Sequence, residues 1–147
     1  MRILIVDDEP SILELLKAFL EAGDAHRVVT ATSGAEALAK IEEDDEEFDC
    51  FLLDIQMPKM NGITLCENIR ALPDYVHAPI IMLTAMSQKI YIDKAFAVGA
   101  TDYVTKPFDF LELRGRLTSA AKIVDEFHRA TESAIEARRL ASDIGSE

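Results

Sequence analysis

Phe51-Leu52-Leu53-Asp54-Ile55-Gln56-Met57-Pro58, closed by Asn61-Gly62, is the stretch around which the 147-residue chain is organised. The run from Phe51 to Leu53 is apolar without alternation, which marks a strand covered on both faces, as in parallel sheets flanked by helices. Asp54 then falls at the carboxyl end of that strand. A carboxylate is costly inside an apolar sheet but at home in the crevice beyond the strand ends, where open α/β sheets bind ligands. Two further strands should deliver polar residues to the same crevice. Ile3-Leu4-Ile5-Val6 ends in Asp7-Asp8, and Ile80-Ile81-Met82-Leu83 ends in Thr84.

Working outward, five apolar runs alternate with five helical patterns, the signature of a doubly wound α/β fold with a parallel sheet. The first strand covers about Arg2 to Val6. Pro10 opens a helix in which Ile12, Leu13, Leu15, Leu16, Phe19 and Leu20 give the spacing of a buried stripe, stopped at Gly23. Arg27 to Ala31 is a weaker second strand, placed at a sheet edge. Ser33 is expected to cap the next helix with Glu36 as reciprocal partner. The acidic run Glu42 to Glu47 reads as a solvated, self-repelling helix end and loop. Pro58 and Asn61-Gly62 mark a turn before a third helix carrying Ile63, Leu65, Cys66 and Ile69. The fourth strand, Pro79 to Leu83, is followed by a helix from about Gln88 to Val98. The fifth strand spans Thr101 to Thr105 and ends in Lys106-Pro107-Phe108. Asp109 then caps a long last helix with Leu111, Leu113, Leu117, Ala120, Val124 and Phe127 on one face. Beyond about Lys122 the pattern thins. Ala130, Ala134, Ile135 and Leu140 prolong it as a coil-like arm, with Thr131 and Arg138 interrupting a clean heptad. The expected division is residues 1–122 as one domain and 123–147 as a helical extension or tail.

Composition narrows the function classes. A net charge of −12 argues against a dedicated nucleic-acid surface, because phosphate backbones select Lys and Arg clusters. No apolar stretch approaches the length needed to cross a bilayer, and the apolar run before Asp7 is too short for a signal peptide. The expected location is the cytoplasm. Cys50 and Cys66 lack a pairing or ligand spacing and are expected to be reduced core residues. His26, His77 and His128 have no partner at catalytic or ligand spacing and are expected to be exposed or capping.

Asp7, Asp8 and Asp54, arriving together from two strand ends, would repel one another, and a divalent cation is the usual relief. Hard oxygen donors with room for water suit Mg²⁺, which tends to bind phosphate as well. The Thr84 hydroxyl and the Lys106 ammonium are the donors a phosphoryl oxyanion needs. Asp54 is then the group positioned to attack phosphorus and form an acyl phosphate.

Asp7-Asp8, Asp54 to Pro58 with Asn61-Gly62, Thr84-Ala85, Gly99-Ala100, and Asp102-Tyr103 with Lys106-Pro107-Phe108, taken in order, resemble the receiver domain of two-component response regulators over about residues 1–122. The resemblance implies a flavodoxin-like sheet of strand order 2-1-3-4-5 with five flanking helices, the last extended. It also implies that Asp54 is the phospho-acceptor, taking its group from a phosphohistidine of a sensor kinase or phosphotransfer protein. Asp8, the Asp54 carboxylate and the Gln56 backbone carbonyl would ligate Mg²⁺, with Asp7 acting mostly through a bound water. Lys106 would contact the phosphoryl oxygens, and the Lys106-Pro107 bond is expected to be cis. Gln56 and Met86 fall at positions that tune phosphoryl lifetime in similar domains. Thr84 would follow the phosphoryl group, and the aromatic at Tyr103 would turn into the space it leaves. That couples the crevice to a face made by the fourth helix, fifth strand and fifth helix.

The resulting expectation is a signalling switch that catalyses its own phosphorylation and slow hydrolysis, not an enzyme with a separate substrate. Two other readings compete with it. One is a Mg²⁺-dependent phosphatase with an Asp nucleophile, disfavoured because Gln56 stands where that class carries a second acid. The other is a receiver-like binding module without phosphorylation, against which the intact Asp7, Asp8, Asp54, Thr84 and Lys106 count. Expected partners are the kinase or phosphotransfer protein and a downstream protein effector. A homodimer through the face of the fourth helix, fifth strand and fifth helix, or through the C-terminal helix, is also expected.

Overall fold

The apolar runs form strands β1 (Arg2–Val6), β2 (Arg27–Ala31), β3 (Cys50–Asp54), β4 (Ile80–Thr84) and β5 (Asp102–Thr105). In the computed structural model, which describes residues 1–85 and 89–145, they make one parallel sheet of order β2-β1-β3-β4-β5. The expected order therefore holds, with β2 at an edge. The helices are α1 (Pro10–Glu21), α2 (Gly34–Glu43), α3 (Gly62–Arg70), α4 (Lys89–Ala97) and α5 (Phe110–Gly145). Met86 and the expected helix start at Gln88 lie outside the described residues.

Period-two alternation sorts the sheet residues into two layers. Ile3, Ile5, Leu52, Ile81, Leu83 and Val104 pack with Leu13 and Leu16 of α1 and with Leu113 and Leu117 of α5, whereas Leu15 and Leu111, expected on these stripes, lie off the face that meets the sheet and are exposed. Leu4, Val6, Phe51, Leu53, Ile80 and Met82 pack on the other face with α2, α3 and Ala95 of α4. The residues of β1, β3 and β4 are buried throughout, as unalternating strands must be. Each such Leu or Ile stabilises the fold by roughly 1.5–3 kcal/mol. The polar strand ends thus meet above a rigid apolar base.

Local chemistry sets the helix ends. Pro10 stands in the first turn of α1, and the Asp109 carboxylate accepts from the backbone N–H of Leu111 and Glu112 at the start of α5. Ser33 caps α2 by accepting from Glu36 N at 3.1 Å. Glu36 does not complete the reciprocal box. Its carboxylate takes the N–H and hydroxyl of Thr32 instead, one residue earlier.

The acidic run is also not simply a self-repelling loop. Arg2, 7% exposed, lies over the Phe48 ring and pairs with Asp44 and Glu46, while Arg27 holds the Glu46 carboxylate. These contacts pull the Asp44 and Glu46 carboxyls below their ordinary range. His77 likewise packs on Phe127, ring centroids 5.0 Å apart. The two cysteines are free and buried, as expected.

Candidate functional site

The alternation that builds the core also aims the site. Asp7 continues the Ile3, Ile5 series, Asp54 continues from Leu52, and Lys106 continues from Val104, all members of the α1/α5 layer. Their side chains therefore converge where the apolar strands stop. Lys106 Nζ lies 2.6 Å from Asp7 Oδ2 and 3.4 Å from Asp54 Oδ1. Asp7 is fully buried and Asp54 is 4% exposed, whereas Asp8 is exposed at the rim. The remaining Asp7 oxygen accepts from the backbone N–H of Glu9 at 2.9 Å, a contact with no signal in the sequence because a backbone donor leaves no residue signature.

One ammonium thus serves two of the three carboxylates, Asp7 and Asp54. Burial raises the Asp54 carboxyl to about 6; the Asp7 charge and, more weakly, that of Asp8 add to this, and Lys106 opposes it without cancelling it. Burial alone would lower the Lys106 ammonium, yet its contacts with Asp7 and Asp54 leave it raised. Both groups thus respond to excess negative charge. Asp7, Asp8 and Asp54 each offer an oxygen within 4.8 Å of the others. An all-oxygen donor set carrying uncompensated charge fits a hard divalent cation such as Mg²⁺.

Thr84 ends β4 at 1% exposure, and its carbonyl accepts from the Lys106 backbone N–H at 2.8 Å. The Lys106-Pro107 bond is cis, as expected. The register pairs Met82 with Tyr103 and Thr84 with Thr105, so Thr84 and Tyr103 share the sheet face covered by α4. Tyr103 meets Phe96 of α4 edge-on, centroids 6.2 Å apart. Gln56 is exposed and borders a cavity of about 260 Å³ with Asn61, Tyr91 and Lys94 beside the mouth of the site.

Gly62 has a role that its reading as a turn residue did not contain. A Cβ at this position would stand 2.1 Å from the Asp54 carbonyl oxygen, while the Gly62 N–H donates to Ile55 O at 2.9 Å. Asn61 caps α3 through Thr64 N, which brings the helix start against the strand bearing Asp54. Gly62→Ala is expected to lower stability by about 2 kcal/mol, the usual cost of forcing an extra carbon into packed structure. The urea midpoint should fall at unchanged m-value; an unchanged midpoint would show that the close approach relaxes freely.

The comparisons agree with this geometry. The family model described as the response regulator receiver domain matches residues 3–118. Similar curated proteins include transcriptional regulatory protein YvrH of Bacillus subtilis, 40% identical over 120 residues that make up 82% of this chain and 48% of that one. The DNA-binding dual master transcriptional regulator RpaA of Synechocystis is 34% identical over 88% of this chain and 52% of its own. The chain thus spans about half the length of such relatives. Among solved structures, chemotaxis protein CheY4 of Vibrio cholerae superposes with a TM-score of 0.75 at 34% identity, covering 81% of this chain and 97% of that one. The CheY-like receiver domain protein of Methanospirillum hungatei gives a TM-score of 0.75 at 32% identity over 88% and 97%. With its sheet order, its converging strand ends and these matches together, the chain belongs to the response regulator receiver domain family.

Proposed function

We propose that the chain is the phosphoacceptor switch of a two-component phosphorelay, with Asp54 as the acceptor. The observation that carries this reading is the buried Asp54 carboxylate beside Lys106 Nζ and within reach of Asp7 and Asp8. An Asp54 oxygen attacks the phosphorus of a phosphohistidine, an O–P bond forms as the N–P bond breaks, and the imidazole of the donor protein leaves with the electron pair. Lys106 neutralises charge on the phosphoryl oxygens, and Thr84 supplies a hydroxyl to them. Asp8, Asp54 and the Gln56 carbonyl would hold Mg²⁺, with Asp7 acting through water; the cation supplies charge neutralisation and alignment when bound.

The phosphoryl group adds roughly −1.5 to −2 charge units at Asp54. Thr84 follows it, Tyr103 responds on the shared face, and α4, β5 and α5 form the output surface. Residues 1–122 act as this receiver and 123–147 as a helical extension or tail. The partners are a sensor histidine kinase or histidine phosphotransfer protein and a downstream protein effector. The acidic charge supports a role without direct nucleic-acid contact by these residues. No helix among the described residues is long and apolar enough to cross a membrane, which is compatible with a cytoplasmic site of action.

Intact-mass measurement after incubation with a small acyl-phosphate donor and Mg²⁺ tests the reading. One phosphoryl adduct is expected, absent in Asp54→Asn. Multiple turnovers on an unrelated phosphomonoester would favour the phosphatase instead. No adduct on the native chain would leave a binding module.

A further inference from the structure

Helix α1 leaves the crevice at Pro10 and reaches Leu20 about 15 Å further along its axis. There the turn Ala22–Asp24 leads on to β2, and α5 passes beside it. A cavity of about 530 Å³ lies between these elements. It exists because small residues meet there: Ala22, Ala25 and Ala121 leave space that Phe19, Leu20 and Leu117 wall but do not fill. A volume of this size falls within the range of small-molecule sites, about 300–1,000 Å³, which are apolar with a few placed polar groups.

The polar groups here are all donors. The chain carries 27 acidic residues against 15 basic ones, yet no carboxylate lines this cavity. Glu21 and Asp24, the acids nearest in sequence, are placed elsewhere: Glu21 accepts from the Val28 N–H at 3.2 Å, and Asp24 is exposed. Arg114 does line it, with its guanidinium 5.6 Å from the centre of the Phe19 ring. Its neighbour Arg116 pairs with Asp102 and Glu112, whereas no carboxylate among the described residues pairs with Arg114. His26 also lines the cavity, and its Nδ1 lies 3.1 Å from the Met1 nitrogen. That nitrogen can only donate, so Nδ1 accepts and the ring proton sits on Nε2 as a second donor.

An apolar cavity with a guanidinium and an N–H at its wall, in an otherwise acidic protein, complements one anionic group on an apolar body. A planar guanidinium suits a carboxylate, which it can hold through two parallel bonds. The Phe19 ring is itself braced by Phe110, centroids 4.6 Å apart. Against such a fixed wall a rigid, ring-bearing ligand loses less freedom than a flexible chain. We infer that this cavity between α1 and α5 is a binding site for a small ring-bearing monocarboxylate, with Arg114 holding the carboxylate. The inference stands apart from the phosphorylation reading, since it uses no residue of the crevice.

A nuclear magnetic resonance titration of the full 147-residue chain with ibuprofen, an aryl monocarboxylate, and with its uncharged amide tests it. Saturable amide shifts are expected at Phe19, His26 and Thr118, with the carboxylate bound about tenfold more tightly than the amide; the exposed guanidinium keeps the preference modest. Arg114→Gln should erase that preference, while Arg116→Gln, whose guanidinium is engaged elsewhere, should keep it. Ala121→Leu should abolish the shifts by filling the space, at an unchanged melting temperature. Should Ala121→Leu not fold, the comparison of Arg114→Gln with Arg116→Gln decides alone. A native chain without saturable shifts would overturn the inference. So would equal binding of the two probes, which would leave the cavity to an apolar helix of a partner protein, and so would a carboxylate preference that survives Arg114→Gln.

Discussion

Lys106→Ala is expected to lower the stability of the cation-free protein by about 3 kcal/mol at neutral pH and to slow adduct formation at Asp54 about 100-fold. The stability loss follows from where the ammonium sits. Asp7 is fully buried, and beyond the Glu9 N–H its ion-pair partner is Lys106 at 2.6 Å. Removing one member of a buried pair leaves an uncompensated charge, which costs more than the pair itself contributes. Lys106 is itself partly exposed, so water entering the truncated site keeps the cost at the low end of that range. The loss should shrink when Mg²⁺ is added or the pH is lowered toward 5, because either relieves the carboxylates. The kinetic loss is the ordinary consequence of removing one preorganised charge from an oxyanion site. Thermal melts with and without Mg²⁺, run beside Lys106→Met, separate charge from packing: Met should behave as Ala does. A Met variant as stable as the native chain would show that the aliphatic stem, not the ammonium, matters there.

How much of this site is legible in the sequence follows from where its residues lie along the strands. Asp54, Asp7 and Thr84 each stand at the end of an unalternating apolar run, and parity then fixes which layer each side chain joins. That pattern is local, so the sequence carries it. Tyr103 and Thr84 share a face only through the β4–β5 register, which no single segment reveals and which enters by resemblance. The close approach of Gly62 is hidden because the atom it must avoid, the Asp54 carbonyl oxygen, belongs to another element. The acidic run differs from its expected behaviour for a related reason. Six neighbouring acids read locally as repulsion, but Arg2 and Arg27 reach them from β1 and the start of β2. Contacts between elements, rather than propensities within them, account for both differences.

Asp54→Asn should abolish the phosphoryl adduct and, in the same protein, raise stability without a cation by about 2 kcal/mol at pH 7. The sign comes from linkage. Burial and the neighbouring Asp7 raise the Asp54 carboxyl from 3.8 to about 6 in the folded chain, so between those values the native state holds a proton that the unfolded state releases. Stability owed to this group is therefore present at acid pH and lost as pH rises from about 4 to about 6, after which the penalty is constant. Every tenfold change in proton affinity between the folded and unfolded chain is worth about 1.4 kcal/mol, and partial hydration of the mouth trims the total. Asparagine carries no charge and removes the dependence. The difference between native and variant melting temperatures should accordingly grow from pH 4 to pH 6 and then level off. Mg²⁺ should close that gap at pH 7 by stabilising the native chain much more than the variant, since the cation relieves repulsion that asparagine has already reduced. A variant less stable than the native chain at pH 7, or a gap independent of pH, would mean that Lys106 already neutralises the crevice. The carboxylates would then have no unmet need for a cation.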